Sequence, residues 1–200
     1  HLLGRRQRQM CIRDSEYTSL TGVPFNWLEA TYRYTEIKNR QYGPVRYSGN
    51  QSLKDKGFDL KILLMNETYN LPAIALGLRD IAGTGIFSSE YIVSSKRFNF
   101  FDLTLGLGWG ILGTDNNYPN PFKGLDERFS LRNDNLGQGG TFSYKNWFSG
   151  NTALFGGIEY DFPSKGLKFK VEYDTSNPDE RLIVDQVKSR LNFGIDYLFS

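Results

Sequence analysis

Cysteine and histidine are almost missing from this chain: Cys11 and His1 are the only ones among its 200 residues. No intrachain disulfide can form, and neither a Cys/His zinc site nor a Cys–His dyad can be assembled. A serine hydrolase of the usual kind loses its general base. Strong charge of one sign is missing too. Lys and Arg number 24 against 22 Asp and Glu, for a net charge of +2, so no electrostatic case for a nucleic-acid partner exists. Mean hydropathy is −0.47, and no run approaches the length of a transmembrane helix.

One stretch looks at first like a dinucleotide loop. FDLTLGLGWGILG (101–113) matches G-x-G-x-x-G at Gly108, Gly110 and Gly113. The motif needs a helix opening on its glycines. Beyond Gly113 the chain runs TDNNYPNPFKG (114–124), turn chemistry with two prolines and no helical period. A different pattern is present. Phe101, Leu103, Leu105, Leu107, Trp109 and Ile111 alternate with Asp102, Thr104, Gly106, Gly108 and Gly110, as on a strand with one apolar and one small or polar face.

The alternation recurs along the chain. Leu28, Ala30, Tyr32 and Tyr34 oppose Glu29, Thr31, Arg33 and Thr35. Phe58, Leu60, Ile62 and Leu64 oppose Asp59 and Lys61, and Ile74, Leu76 and Leu78 oppose Ala75, Gly77 and Arg79. SSEYIVSSK (88–96) is looser: Tyr91 and Val93 are read as the apolar set, with Ile92 among the polar residues. LFGGIEYDF (154–162), LKFKVEYD (167–174) and LNFGIDYLF (191–199) are regular. Turn-forming stretches punctuate the runs. The sum is about nine strands without helical segments, an all-β antiparallel meander. SNPDERLIVDQVKSR (176–190), with a hint of helical spacing, reads as a loop into the last strand. The glycosylation-sequon matches at Asn50 and Asn66 carry no weight.

Such a meander fits a soluble sandwich or barrel with its apolar face inward, burying Leu105, Trp109 and Ile158. It also fits part of an outer-membrane-type β-barrel with its apolar face against lipid. Tyr and Trp near strand ends, as girdles require, and short turns alternating with longer loops favour the second. On that reading the polar faces line a lumen, and an odd strand count means either a count off by one or a fragment, because bacterial single-chain barrels close on even numbers. The first fifteen residues, HLLGRRQRQMCIRDS, are basic and unpatterned. They read as a translated sequencing-adapter scar, the alternative being a short basic arm, with residues 16–200 as the β-barrel region.

LPAIALGLRDIAGTGIFSSEYIVSSKR (71–97), the 101–113 stretch and NPF (120–122) resemble the YjbH family, as do WLEATYRYTEI (27–37), SLKDKGFDLKILL (52–64) and FGGIEYD (155–161). The resemblance implies an outer-membrane β-barrel lipoprotein of a Gram-negative bacterium, linked to exopolysaccharide production. It implies outer-membrane lipid, exopolysaccharide and other polysaccharide-secretion proteins as partners. Family members are longer, with a signal peptide and a lipid-anchored cysteine upstream, so this chain reads as a piece of one.

The expected role is non-catalytic help in exporting or assembling exopolysaccharide, with no cofactor and no metal. Lumen-facing candidates for polysaccharide contact are Arg79, Asp80, Glu90, Asp102, Glu159 and Glu172. Arg79, Asp80 and Glu90 flank one turn and could form an ion-pair cluster inside the barrel. Gly83 and Gly85 suit a tight connection with positive φ. Gly106, Gly108 and Gly110 leave lumen space or admit close packing. The alternatives are a β-sandwich carbohydrate-binding module and a glycosidase using two carboxylates drawn from Glu90, Glu159 and Glu172.

Overall fold

The computed structural model describes residues 15–133, 144–163, 166–176 and 189–198. The adapter-like segment lies outside these except for Ser15, as do most of the 176–190 stretch and the penultimate Phe199.

Ten antiparallel strands form one sheet: β1 (Ser15–Phe25), β2 (Leu28–Gln41), β3 (Ser52–Met65), β4 (Ala73–Arg79), β5 (Ser89–Phe98), β6 (Phe101–Gly110), β7 (Asn117–Tyr118), β8 (Thr152–Phe162), β9 (Leu167–Tyr173) and β10 (Leu191–Tyr197). Neighbours follow chain order, β1-β2-β3-β4-β5-β6-β8-β9-β10, with the two-residue β7 paired to β8. The meander is as expected from the alternation. β1 carries none: SEYTSLTGVPF mixes polar residues on both faces, and it forms by pairing with β2 from Ser15↔Ile37 to Phe25↔Leu28.

The barrel expected from the alternation is not closed. Among the described residues β1 pairs only with β2, and β10 only with β9. Nine strands along the path leave β1 and β10 running in the same direction, so their edges cannot meet as an antiparallel pair. The sheet nevertheless curls, because residues from β1 through β9 line one cavity of about 600 Å³.

Register fixes two faces. On the inner face Thr31 pairs with Asp59, Gly77 with Tyr91, Ser95 with Thr104 and Asp102 with Glu159. On the outer face Tyr32 pairs with Phe58, Leu76 with Ile92, Ile92 with Leu107 and Leu103 with Ile158. A sandwich core would bury the outer face. Leu105 is 56% exposed and Ile158 49%, so only Trp109 of those three residues is buried, and that by a loop.

The two ends of the sheet differ. At one end the connections are 26–27, 66–72, 99–100 and 163–166; at the other they are 42–51, 80–88, 111–151 and 174–190. Aromatic rings gather at both ends: Trp109, Phe122, Phe129 and Phe148 at the long-loop end, and a second group at the short-turn end. Phe25 stacks on Trp27 at 5.4 Å, and Phe101, Tyr160, Phe162 and Phe169 form a chain of contacts at 4.7, 4.3 and 5.5 Å. Offset and edge-to-face pairs of this kind add about 0.5–1.5 kcal/mol each beyond area burial.

Candidate polar inner face and its long-loop rim

The inner face carries much of the charge of β2, β3, β8 and β9: Glu29, Arg33, Asp55, Asp59, Lys61, Glu159, Lys168, Lys170 and Glu172 share it, with Ile37, Leu53 and Phe155 as apolar exceptions. Glu29 stands opposite Lys61. Glu159 takes Lys168 Nζ at 3.0 Å and Lys170 Nζ at 3.4 Å. Asp102 sits between Arg97 and Glu159 in register, and Glu172 borders the cavity. Asp102, Glu159 and Glu172 are thus inner-facing, and Asp102 and Glu159 are brought side by side.

At the long-loop end the connection 80–88 folds inward onto β2 and β3. Asp80 leaves β4 with φ +57°, an αL turn that a short polar side chain tolerates. Its N–H donates to Asp59 Oδ1 (2.9 Å), and its Oδ2 accepts from Phe87 N (3.2 Å). Thr84 Oγ1 donates to Asp55 Oδ1 at 2.6 Å. Ile86 and Phe87 pack on the buried pair Ile37 and Leu53. At the centre lies Arg33, 2% exposed, its guanidinium 5.0 Å from the Phe87 ring. It stands 3.7 Å from Asp59, and its Nη2 is 3.9 Å from both Asp55 Oδ2 and Asp80 Oδ1.

One cation therefore serves three carboxylates. Burial first, and then the neighbouring Asp55 charge, push the Asp80 carboxyl up to about 6, against the pull of Arg33 and of the Phe87 N–H. The cluster lies at the level of Lys54 and Lys56, beyond the apolar run Phe58–Leu64 of β3.

The expected trio is separated. Asp80 joins Arg33, while Arg79 points to the cavity. Glu90 corrects the lumen assignment: it pairs with Leu78 and Trp109 and so belongs to the outer face. The reversal covers the whole strand, because Tyr91 and Val93 face inward and Ile92 outward. Glu90 is 1% exposed, buried under the 111–151 connection. It accepts from Arg132 Nη1 at 2.7 Å, Arg132 Nη2 at 3.0 Å and Phe148 N at 3.0 Å. Trp109 is covered there by Phe122 (5.4 Å, stacked) and Phe148 (5.2 Å, edge-on). Asn120 Nδ2 lies within 2.6–2.9 Å of the Phe129, Phe148 and Gly150 carbonyls. Arg132, Asn120 and Phe148 escape the periodicity reading because the loop that carries them has no period.

The glycines act mostly by close packing. A Cβ on Gly83 would lie 1.7 Å from Asp80 Oδ1, one on Gly106 2.3 Å from the Phe155 ring, and one on Gly108 2.4 Å from Leu112. Positive φ holds at Gly85 (+79°) and Gly110 (+66°), not at Gly83.

The family model described as "Exopolysaccharide biosynthesis protein YbjH" matches residues 10–200. The chain belongs to the YjbH family. The match begins inside the adapter-like segment. The chain is also 44% identical over 183 residues to a protein of Escherichia coli (strain K12) described as "Uncharacterized lipoprotein YjbH", covering 90% of this chain and 26% of that protein. It therefore spans about a quarter of that relative's length. No solved structure matches it.

Proposed function

We propose that this chain forms part of the wall of an outer-membrane β-barrel lipoprotein that assists export or assembly of exopolysaccharide, without catalysing a reaction. The observation that carries the reading is the division of the sheet: an outer face of exposed apolar residues, an inner face carrying most of the strand charges, short turns at one end and long connections at the other, with aromatic clusters at both. These are the features by which a membrane strand differs from a soluble one. The family description supplies the polysaccharide, and the name of the E. coli relative supplies the lipid anchor.

The open edges fit a wall section. Unpaired main-chain N–H and C=O groups in hydrocarbon cost several kcal/mol each. Strands from elsewhere in the longer protein would pair with β1 and β10. The glycosidase alternative loses Glu90, both of whose oxygens are held by Arg132. Glu159 is engaged by two lysines.

The test is made on the full-length protein from the same source. Outer-membrane fractionation and a gel run with and without boiling should show a heat-dependent mobility shift. A deletion strain should secrete less exopolysaccharide. A soluble protein with no shift, or unchanged secretion, overturns the reading.

A further inference from the structure

The 80–88 connection does not stay with its own hairpin. It joins β4 to β5, neighbours paired from Ala73↔Ser95 to Arg79↔Ser89, and such a turn needs only about two to five residues. This one is longer and runs the other way. Ile81 N donates to the Phe58 carbonyl of β3 at 2.9 Å. Thr84 reaches Asp55 on β3, and the Phe87 ring reaches Arg33 on β2. The segment therefore crosses the inner face of β3 and extends over β2, two strand spacings or about 10 Å sideways, before it returns to β5. It turns at Asp80 and again at Gly85, both with positive φ.

The two long connections are fastened differently. Glu90 holds Arg132 through direct hydrogen bonds of 2.7 and 3.0 Å. The 80–88 segment is tied by neutral donors, the Asp80 N–H and the Thr84 hydroxyl, and its charged groups do not bond directly. Arg33 stands 3.7 Å from Asp59 and 3.9 Å from Asp55 and Asp80, beyond hydrogen-bond reach. Among the described residues Arg33 Nε and Nη2, Asp55 Oδ2 and Asp80 Oδ1 have no hydrogen-bond partner. Buried polar atoms left in that condition cost free energy, so the inward position is held against a penalty.

We propose that the 80–88 connection is a flap at the long-loop mouth of the barrel, latched across the inner wall through Arg33 and loosened when Asp80 ionises. This rests on the barrel-wall reading above.

The groups around Asp80 set the direction. β2 brings Arg33, β3 brings Asp55 and Asp59, and the segment itself brings the Phe87 N–H. Lys54 and Lys56 of β3 belong to the opposite face. With Asp80 protonated, Arg33 serves two carboxylates; with Asp80 ionised it serves three, and like charges crowd together. Burial, and then Asp55, hold the Asp80 carboxyl at about 6 while the flap is down. Lifted into water, it returns toward 3.8. The closed position is thus favoured in acid and weakens as pH rises through about 6. From about pH 5 to about pH 7.5 the ratio of closed to open flap should fall about tenfold.

The test uses the full-length protein in outer membranes. Ile86 is half-buried against Ile37 and Leu53 while the flap is down, so Ile86→Cys reports its lifting through reaction with a membrane-impermeant maleimide. Dividing by the rate for Gly124→Cys, an open position, removes the thiol's own pH dependence. The relative rate should rise about tenfold from about pH 5 to about pH 7.5 and stay flat when Asp80→Asn is added. A flat rate without Asp80→Asn, or an equal rise with it, overturns the latch. Replacing residues 81–87 by an Asn-Gly turn should sensitise cells to a bulky antibiotic that the wild type excludes. Unchanged sensitivity with the heat-dependent gel shift intact overturns the flap as a closure of the mouth. If the shortened protein loses its gel shift, the Asp80→Asn comparison decides alone. If the wild type shows no shift, the barrel reading itself fails.

Discussion

Arg33 and Asp80 meet across the inner face, with Nη2 3.9 Å from Oδ1, and through them the 80–88 connection is tied to strands β2 and β3. The guanidinium does not neutralise its surroundings, because Asp55 and Asp59 share it. The tie is therefore sensitive to charge.

Its pH dependence comes from Asp80. The carboxyl, raised from 3.8 to about 6 by burial and by Asp55, holds its proton more tightly when folded than when unfolded. The stabilising contribution is complete below about 4 and is lost as pH rises through about 6, a difference of order 3 kcal/mol at most. Unfolding midpoints of the full-length protein, measured across this window, should fall with rising pH relative to Asp80→Asn. Parallel curves for the two proteins would refute the assignment.

Removing the cation should be worse than adjusting the anion. Arg33→Met leaves three inward carboxylates without a partner charge and should cost about 3–5 kcal/mol. Denaturant titration reads the loss, and simultaneous Asp55→Asn should recover part of it.

Close approach at the same corner gives a steric prediction. Gly83→Ala would bring a Cβ against Asp80 Oδ1 and within 2.7 Å of the Lys56 carbonyl. It should destabilise by about 1–3 kcal/mol and expose the 80–88 connection to protease. Gly124→Ala, with nothing within 4 Å, should change stability by less than about 0.5 kcal/mol. Comparable effects at both positions would contradict the packing described.

The outer face is tested in lipid. Leu105→Arg should cost about 2–4 kcal/mol if the residue meets the bilayer midplane, whereas Asp102→Asn on the inner face should be mild. Folding equilibria in lipid vesicles, or the amount of heat-shifted protein in outer membranes, distinguish the two. Equal small effects would count against membrane contact.

The 111–151 connection should come loose when its buried pair is broken. Glu90→Gln leaves the Arg132 guanidinium against an uncharged amide and should cost about 3–5 kcal/mol, read as faster proteolysis between residues 111 and 150 with the sheet intact.

How much of this was legible depended on whether one rule governed each strand. On β6, β9 and β10 large apolar side chains go outward without exception, so alternation gave their faces correctly. On β5 the rule fails. Tyr91 is large yet faces inward, because Gly77 beside it leaves a surface for its ring. Taking Tyr91 as outward reversed Ile92 and sent Glu90 into the lumen. β1 was missed because, with Tyr17, Ser19 and Thr21 facing inward and Thr18 and Leu20 outward, neither face is consistently apolar. Arg33 was among the polar residues recognised, but Asp55 was not, and the triple carboxylate depends on a loop folding back, which no period records. The platform of Asn120, Phe122, Phe148 and Arg132 likewise depends on carbonyls and rings brought together from a stretch without regular structure.

The unequal ends of the sheet give the molecule a direction. A small tag inserted beside Gly124 and a probe placed at Asn26 would report from opposite sides of any boundary the strands cross. The chain thus carries two addresses. Surface labelling of intact cells could assign one to the exterior and the other to the interior without a single further coordinate.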